Sequence, residues 1–175
     1  MTEKRIAWAI TGAGHALEEC VELLLRIERA DVFLSRAGEE VLQMYNLHSR
    51  IHESNTRIYR ENQASAPVVG RFSSGKYSVL VIAPATSNSV AKFVYGISDT
   101  LVTNLFAQAG KSRVPAVVYP TDLAPEMDSS GPYGESVKVY PRMVDLENTR
   151  KLETFAGVRV VGNRQELEQC LAPYL

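Results

Sequence analysis

The sequence contains only two cysteines and one tryptophan, and neither sign of charge is in excess. Cys20 and Cys170 form no CxxC pair, so we expect two reduced thiols rather than a disulfide framework, and no metal site. The formal net charge of -1 in 175 residues gives no overall field that would attract nucleic acid or an anionic membrane. We therefore expect neither of them as a partner.

Long hydrophobic runs are also missing. The first apolar run, residues 6–10, is too short to cross a bilayer or to form the core of a signal peptide. The chain of 175 residues has the length of one domain, so we predict a single domain over residues 1–175. These features together predict a cytoplasmic protein.

Short apolar runs alternate with amphipathic stretches along the chain. We predict strands at residues 6–10, 30–35, 77–83, 116–119 and 158–161, and helices at residues 17–29, 37–45, 89–95, 98–109, 144–155 and 164–171. The continuous apolar character of the third strand is typical of a parallel strand that is covered on both faces. The alternation predicts an α/β fold, a Rossmann-like or flavodoxin-like parallel sheet with helices on both faces.

Two segments interrupt this alternation. Residues 46–67 are polar, and we expect a mostly loop-like excursion with at most one short strand or helix. The histidines at 48 and 52 have the spacing of a helical metal pair, but we expect surface positions because no third ligand is evident. Residues 120–141 contain four prolines and two glycines, which is typical of a long active-site or interface loop.

Two turns that follow predicted strands could hold an anion. Gly12 and Gly14 let the backbone approach a ligand, and the helix start after them offers N–H groups to phosphate. Because Leu17 stands where a dinucleotide fingerprint has its third glycine, a tight turn without ligand stays open. Ser35 and Arg36 offer a hydroxyl and a guanidinium, or simply an N-cap with a solvated arginine.

A further polar segment precedes the strand at residues 77–83. Ser73, Ser74, Gly75 and Lys76 could cradle a phosphate or a ribityl chain. The segment is not a Walker loop, because a strand rather than a helix follows it. A polar turn without a ligand explains it equally well.

The segment that follows the same strand is the most informative part of the chain. It reads Pro-Ala-Thr-Ser-Asn-Ser at residues 84–89. Thr86, Ser87 and Asn88 have small hydroxyl and amide side chains, which leave room for a flat ring and can hydrogen-bond its rim. Downstream, Asp99, Thr103 and Asn104 recur at helical spacing, which predicts one polar side on the next helix.

This block resembles the PASANT motif of the homo-oligomeric flavin-containing cysteine decarboxylase superfamily. Residues 91–104 fit that family's continuation, AKxxxGIxDxLxTN, and the similarity covers residues 4–119. The resemblance implies a Rossmann-like fold that binds FMN without a covalent link, in trimers that build larger homo-oligomers. The candidate cofactor-binding residues are Gly12, Ala13, Gly14, His15, Ser35, Arg36, Ser73, Ser74, Gly75, Lys76, Ala85, Thr86, Ser87, Asn88, Asp99, Thr103, Thr121 and Asp122.

The sequence departs from the decarboxylases at their catalytic signatures. Gly70 stands where those enzymes have an essential histidine, and residues 119–125 lack the Met-Asn pair and the tryptophan of their substrate clamp. The only tryptophan, Trp8, lies in the first predicted strand. We therefore do not expect cysteine decarboxylation.

A redox branch of the superfamily fits better. Residues 73–77 and 119–122 resemble archaeoflavoproteins and dihydromethanopterin reductases. This resemblance implies an FMN-dependent reductase, with one or two FMN per subunit, that takes electrons from NAD(P)H or a redox protein and reduces a pterin, dihydromethanopterin. An electron-transfer flavoprotein with a ferredoxin- or flavodoxin-like partner, and a non-redox decarboxylase or flavin prenyltransferase, remain as alternatives.

Reduction of a C=N bond also requires a proton. His15 lies beside the glycine turn, and histidine exchanges protons readily near neutral pH. Lys76 and Asp122 are the other candidate proton donors. The alternative for His15, a solvated ring at the start of a helix, stays open.

Overall fold

The structure is a computed structural model that describes residues 4–54, 56–61 and 66–175. Its strands are β1 (Arg5–Ile10), β2 (Ala30–Leu34), β3 (Arg57–Arg60), β4 (Tyr77–Ala85), β5 (Ala116–Pro120), β6 (Met127–Ser130), β7 (Ser136–Val139) and β8 (Val158–Val160). Its helices are α1 (Leu17–Leu24), α2 (Arg36–Met44), α3 (His48–His52), α4 (Ala66–Val69), α5 (Ser87–Tyr95), α6 (Leu101–Lys111), α7 (Met143–Glu153) and α8 (Arg164–Leu171).

Six strands form one sheet in the order β3-β2-β1-β4-β5-β8. All of its pairings are parallel, whereas β6 and β7 form a separate antiparallel hairpin. This architecture confirms the predicted flavodoxin-like α/β fold. In the described ranges, no helix has both the length and the apolar character that a membrane crossing requires.

The sheet is covered on both faces, as its apolar strands require. One hydrophobic cluster contains side chains of α1, α2, α3 and α8, and it includes Trp8 and Val81. The second contains side chains of α4, α5, α6 and α7, and it includes Ala9 and Leu80. Neighbouring residues of β1 and of β4 thus point into opposite clusters, as the period of two along a strand dictates.

The strand order reverses beside β1. From β1 the chain proceeds through β2 to β3 at one end of the sheet, and it then returns to β4 on the other side of β1. In open parallel sheets, ligands bind in the crevice beyond the carboxyl ends of the strands at this reversal. The fold therefore places a potential binding crevice after β1 and β4.

The polar segment at residues 46–67 is more regular than predicted. It contains α3 and also β3, which adds an edge strand to β2. Within β3, Ile58 packs against one hydrophobic cluster and Tyr59 against the other. An edge strand of four residues with an arginine at each end has too little apolar periodicity to be recognised. Residues 55 and 62–65 of this segment lie outside the described residues.

Three other predicted segments differ from the observed secondary structure. Helix α1 ends at Leu24 rather than near residue 29, because the chain must turn before β2 begins at Ala30. Helix α6 begins at Leu101, with Thr100 as its N-cap, so Asp99 precedes the helix. The predicted loop at residues 120–141 contains the β6–β7 hairpin.

Candidate functional site

Four predicted polar segments meet at the carboxyl edge of the sheet. They follow β1, β2, β4 and β5, and because these strands are parallel their carboxyl ends lie on one side. The segments are the glycine turn at residues 12–15, the pair Ser35-Arg36, residues 86–88 and the pair Thr121-Asp122. The sheet thus gathers most of the predicted cofactor residues into one region.

Thr11 joins the two central segments of this region. Its buried hydroxyl donates a hydrogen bond to the carbonyl oxygen of Pro84 at 2.9 Å and accepts one from the backbone N–H of Thr86 at 2.9 Å. Three residues before Thr11, in β1, the indole N–H of Trp8 donates to the carbonyl oxygen of Ala83 at 2.9 Å. These bonds hold the end of β4 against the end of β1, so both loops have a fixed separation.

A first cleft lies between the glycine turn and the β6–β7 hairpin, and we call it the hairpin cleft. Its volume is about 330 Å³. Eight predicted residues line it: Gly12, Ala13, Gly14, His15, Thr86, Ser87, Thr121 and Asp122. The hairpin supplies the facing wall with Met127, Val137 and Val139. The cleft therefore combines an apolar wall with a rim of small polar groups.

A second cleft lies between the starts of α2, α5 and α6, and we call it the helix cleft. Its volume is about 440 Å³. The predicted residues Ser35, Arg36 and Asn88 line it, and Gly12 and Thr86 belong to both clefts. A single elongated ligand could therefore extend from one cleft to the other across these two residues.

The two glycines of the first turn differ in what a side chain at their position would meet. A Cβ at Gly12 would lie 2.5 Å from the Cβ of Ala37, so any side chain there would push the turn away from α2. A Cβ at Gly14 would instead collide with the hydroxyl of Tyr45, which is the end of a flexible side chain. The turn is thus kept bare, which leaves backbone at the surface of both clefts.

Hydroxyl side chains cap the helices that border the helix cleft. Ser35 accepts a hydrogen bond from the backbone N–H of Gly38 at 2.9 Å, and Thr86 accepts one from that of Ser89 at 3.2 Å. The N-cap interpretation of Ser35 is therefore correct, although the residue also lines the cleft. Arg36 and Lys92 add positive charge to the same walls, and helix starts carry partial positive charge.

Asp122 is a titratable group of the hairpin cleft whose pKa is altered by its environment. Burial raises the pKa of its carboxyl group, and nearby Asp145 raises it further. A hydrogen bond with Ser87 and the charges of His15 and Arg142 act in the opposite direction. The raised pKa increases the protonated fraction of Asp122, and a protonated carboxyl group can donate a proton.

The segment at residues 73–76, predicted as a cradle for a phosphate or a ribityl chain, does not join these clefts within one subunit. Ser73, Ser74, Gly75 and Lys76 precede β4, so they lie at the amino edge of the sheet. Lys76 forms an ion pair with the buried carboxylate of Asp31, with 3.5 Å between Nζ and Oδ2. Lys76 is therefore not a proton donor at the hairpin cleft.

Three further predicted residues do not line either cleft. Ala85 is fully buried, and its carbonyl oxygen accepts a hydrogen bond from the backbone N–H of Thr121 at 3.0 Å. Asp99 is paired with Lys92 at 2.8 Å, and its pKa is lowered by that hydrogen bond. The buried hydroxyl of Thr103 accepts from the backbone N–H of Thr100 at 2.8 Å. Asp99 and Thr103 are thus structural neighbours of the site.

The structure adds residues to the site that the sequence interpretation missed. Tyr45 lines the hairpin cleft, and its hydroxyl donates to the carbonyl oxygen of Ser130 at 2.9 Å, which ties α2 to the hairpin. Glu61 lines the helix cleft directly after β3. Recognition of β3 would have placed Glu61 at the carboxyl edge, whereas no local signal indicates the contact of Tyr45.

The remaining histidines and cysteines lie outside the two clefts. The rings of His48 and His52 are 4.1 Å apart between centroids, and burial together with His48 and Arg60 lowers the pKa of His52. Within the part of the chain that the structure describes, no three His, Cys, Asp or Glu residues are grouped as metal ligands. Burial raises the pKa of the Cys20 thiol.

Comparison with known proteins establishes the family. A family model described as Flavoprotein matches residues 1–173. The chain belongs to the Flavoprotein family. Its turns are consistent with this family, since bare glycine backbone and small hydroxyl groups line two adjacent clefts at the strand-order reversal.

Two curated relatives in this family differ in how much of their length they share with the chain. A dihydromethanopterin reductase (acceptor) of Methanosarcina mazei is 44% identical over 146 residues, which are 76% of this chain and 61% of the relative. The chain thus spans about three fifths of that reductase's length. The uncharacterized protein MJ0730 of Methanocaldococcus jannaschii is 34% identical over 178 residues, 98% of this chain and 96% of the relative.

A solved structure within the family resembles the whole chain. Burkholderia xenovorans DmrB, described as a cubic protein cage for redox transfer, was crystallised in complex with FMN. It is 42% identical to this chain, with a TM-score of 0.87 over 98% of this chain and 95% of DmrB.

Proposed function

We propose that this protein is an FMN-dependent reductase that reduces a pterin, most specifically dihydromethanopterin. The observation that carries the proposal is the pair of adjacent clefts at the carboxyl edge, in a chain 42% identical over nearly its full length to the FMN-containing DmrB. The 44% identity to a dihydromethanopterin reductase supports the substrate class.

The clefts suggest how FMN would lie in the protein. The starts of three helices favour the phosphate group in the helix cleft, beside Arg36, which is paired with Glu40, and Lys92, which is paired with Asp99. The apolar wall and the polar rim of the hairpin cleft favour the flat ring. Gly12 and Thr86, which border both clefts, would contact the ribityl chain between them. We propose one flavin per subunit at this position.

A second flavin at residues 73–76 has less support. The hydroxyl of Ser73 is 3.3 Å from that of Ser112, and Ser74 donates to the carbonyl oxygen of Arg71 at 3.0 Å. Lys76 is engaged with Asp31. Because these polar groups already have partners within the subunit, we do not include a second FMN in the proposal.

The chemistry divides between the cofactor and the chain. FMN, when bound, supplies the transfer of an electron pair between a donor such as NAD(P)H and the acceptor. Among the candidate proton donors, His15 and Asp122 line the hairpin cleft, and the raised pKa of Asp122 favours it as the group that holds the proton. We propose that Asp122 delivers this proton to the acceptor and that His15 helps to orient the acceptor.

We also propose that the protein is a homo-oligomer built from trimers. Large apolar side chains around the hairpin and the start of α7 are exposed, including Tyr133 at 94%, Tyr140 at 65% and Met143 at 64%. Exposed aromatic groups in one region are typical of a protein interface. A cage assembly is described for DmrB, which makes a second copy of the chain the natural partner. Light scattering of the purified protein would measure its mass.

The proposal is tested by loading the protein with FMN and titrating it anaerobically with NADPH and NADH. We expect a yellow protein whose flavin band bleaches with a nicotinamide donor. A protein that takes up no flavin after incubation with FMN would contradict the proposal. If neither nicotinamide reduces the flavin but a ferredoxin- or flavodoxin-like protein does, the assignment of NAD(P)H as the electron donor would be wrong.

A further inference from the structure

Glu61 occupies an unusual position in the helix cleft. It follows the last residue of β3, and its carboxylate contacts the first residues of two helices. The Oε2 atom accepts a hydrogen bond from the backbone N–H of Arg36 at 2.7 Å. The Oε1 atom accepts one from the backbone N–H of Leu101 at 3.2 Å. One carboxylate group thus bridges the starts of α2 and α6.

This bridge is additional to the helix caps. Helix α2 is capped by the side chain of Ser35, and α6 has a capping box formed by Thr100 and Thr103. Glu61 instead binds the N–H groups of the first helical residues, which the caps do not use. Such N–H groups at a helix start are suited to bind an external anion such as a phosphate.

The position of Glu61 conflicts with phosphate binding at the starts of α2 and α6. Arg36 and Lys92 line the same cleft as Glu61, and this is the cleft in which the phosphate of FMN is placed under the proposed function. A phosphate dianion and a carboxylate cannot share the same N–H donors, and at short range they repel each other. Binding of the phosphate at these two N–H groups therefore requires the carboxylate to leave.

We propose that Glu61 is an internal anion that holds the phosphate position of the helix cleft until FMN displaces it. The inference rests on the proposed function, and it makes Glu61 a residue that determines affinity for the phosphorylated end of the flavin. In this arrangement Glu61 keeps the starts of α2 and α6 together in the flavin-free protein. The cost of displacing it falls on FMN but not on riboflavin, which lacks the phosphate.

The test compares Glu61→Gln with Glu40→Gln. Glu40 lines the same cleft, but its carboxylate contacts the side chain of Arg36 at 3.5 Å and is largely exposed. Both variants thus remove one negative charge from the cleft, and only Glu61→Gln removes the charge from the two backbone N–H groups. The dissociation constants of FMN and riboflavin would be measured by quenching of flavin fluorescence for each variant and for the wild type.

We expect FMN to bind Glu61→Gln about tenfold more tightly than the wild type, and riboflavin to change by less than about twofold. Glu40→Gln is expected to change the FMN constant by less than about threefold, because its charge is screened by solvent. Equal FMN constants for Glu61→Gln and the wild type would overturn the inference. An equal gain in both variants would also overturn it, because the effect would then be one of general charge.

Thermal unfolding gives a second readout, which for the flavin-free protein does not depend on affinity. Without flavin, Glu61→Gln should unfold at a lower temperature than the wild type, because the bridge between α2 and α6 is weakened. With saturating FMN the difference should shrink, since Glu61 has then left its position in the wild type as well. A difference that stays the same with FMN would contradict the displacement. If the wild type binds no FMN at all, the proposed function fails, whereas equal FMN binding in wild type and variant refutes only the role of Glu61.

Discussion

Thr11 shows how one side chain fixes the geometry of the binding region. Its hydroxyl is buried and bonded on both sides, to the carbonyl oxygen of Pro84 and to the backbone N–H of Thr86. Thr86 in turn starts α5 and borders both clefts. This hydroxyl group thus reinforces the backbone hydrogen bond from Thr11 to Pro84 at 3.3 Å in linking the glycine turn to residues 84–89.

We predict that Thr11→Val destabilises the protein by about 1–3 kcal/mol, because it removes the hydroxyl to which the backbone N–H of Thr86 donates and one of the two hydrogen bonds to the carbonyl oxygen of Pro84. The substitution keeps the shape of the side chain, so urea unfolding isolates the loss of the hydroxyl. FMN affinity should fall in parallel, since the link between the two loops is weakened. Thr154→Val is a matched control, because its hydroxyl bonds only to the neighbouring carbonyl of Lys151 on the surface. A Thr11→Val variant as stable as that control would show that the Thr11 hydroxyl does not stabilise the link between the two loops.

Asp122 is the residue that we expect to set the pH dependence of turnover. Its raised pKa means that it stays protonated to a higher pH than an ordinary aspartic acid. As the pH rises through that pKa, the protonated fraction falls, and the rate of pterin reduction should fall with it. Asp122→Asn should lower the rate and remove this limb of the pH–rate profile, while FMN still binds. A variant with the same pH profile as the wild type would exclude Asp122 as the proton donor.

At the scale of the elements, the start of α7 is stabilised by an ion pair that also caps the helix. The carboxylate of Asp145 accepts hydrogen bonds from the backbone N–H of Arg142 at 3.0 Å and from its guanidinium group at 2.8 and 2.9 Å. The hydrogen bond from Arg142 lowers the pKa of Asp145. The charged form of Asp145 is therefore favoured by folding.

We predict that Asp145→Asn lowers the free energy of unfolding by about 1–2 kcal/mol at neutral pH. Because the folded-state pKa of Asp145 is lowered, its contribution is complete above the pKa of the unfolded chain, and it is lost as the pH falls through the folded-state pKa. The difference between wild type and variant should therefore shrink in acid. Urea unfolding at neutral and acidic pH measures it, and a difference that grows in acid would contradict this assignment.

The elements also show what the sequence could and could not predict. The continuous apolar run of β4 indicated a buried parallel strand, and the segments after β1, β2, β4 and β5 were correctly grouped because parallel strands end at one edge. The segment at residues 73–76 was included among the candidate cofactor residues, but it precedes β4 and therefore lies at the opposite edge of the sheet. Strand β3 was missed because its arginine-bounded sequence has little apolar signal.

The contacts of Tyr45 and Glu61, which complete the site, join residues that are far apart in sequence. Tyr45 reaches the carbonyl oxygen of Ser130, and Glu61 reaches the backbone of Arg36 and Leu101. Each of these partners is at least 25 positions away in sequence. No local periodicity encodes such contacts, because they depend on how the sheet brings loops together.

At the scale of the whole molecule, the binding clefts and a buried polar network lie at opposite edges of the sheet. The carboxyl edge contains the adjacent clefts after β1 and β4, where the strand order reverses. At the amino edge, Asp31 is fully buried and is held by Arg5 at 2.7 Å and by the hydroxyl of Tyr77 at 2.8 Å. This second network ties β1, β2 and β4 together at the end opposite the clefts. The fold can therefore hold its binding loops at one edge while its stability is supported at the other.

The measurement that tests the central claim most directly is the reoxidation of the protein-bound flavin by dihydromethanopterin. The FMN-loaded protein would be reduced without excess donor under anaerobic conditions and then mixed with the pterin, while the flavin absorption is recorded. We predict that the oxidised flavin band returns together with stoichiometric formation of the reduced pterin. A flavin that stays reduced with the pterin, yet is reoxidised by a redox protein, would contradict the assignment as a pterin reductase.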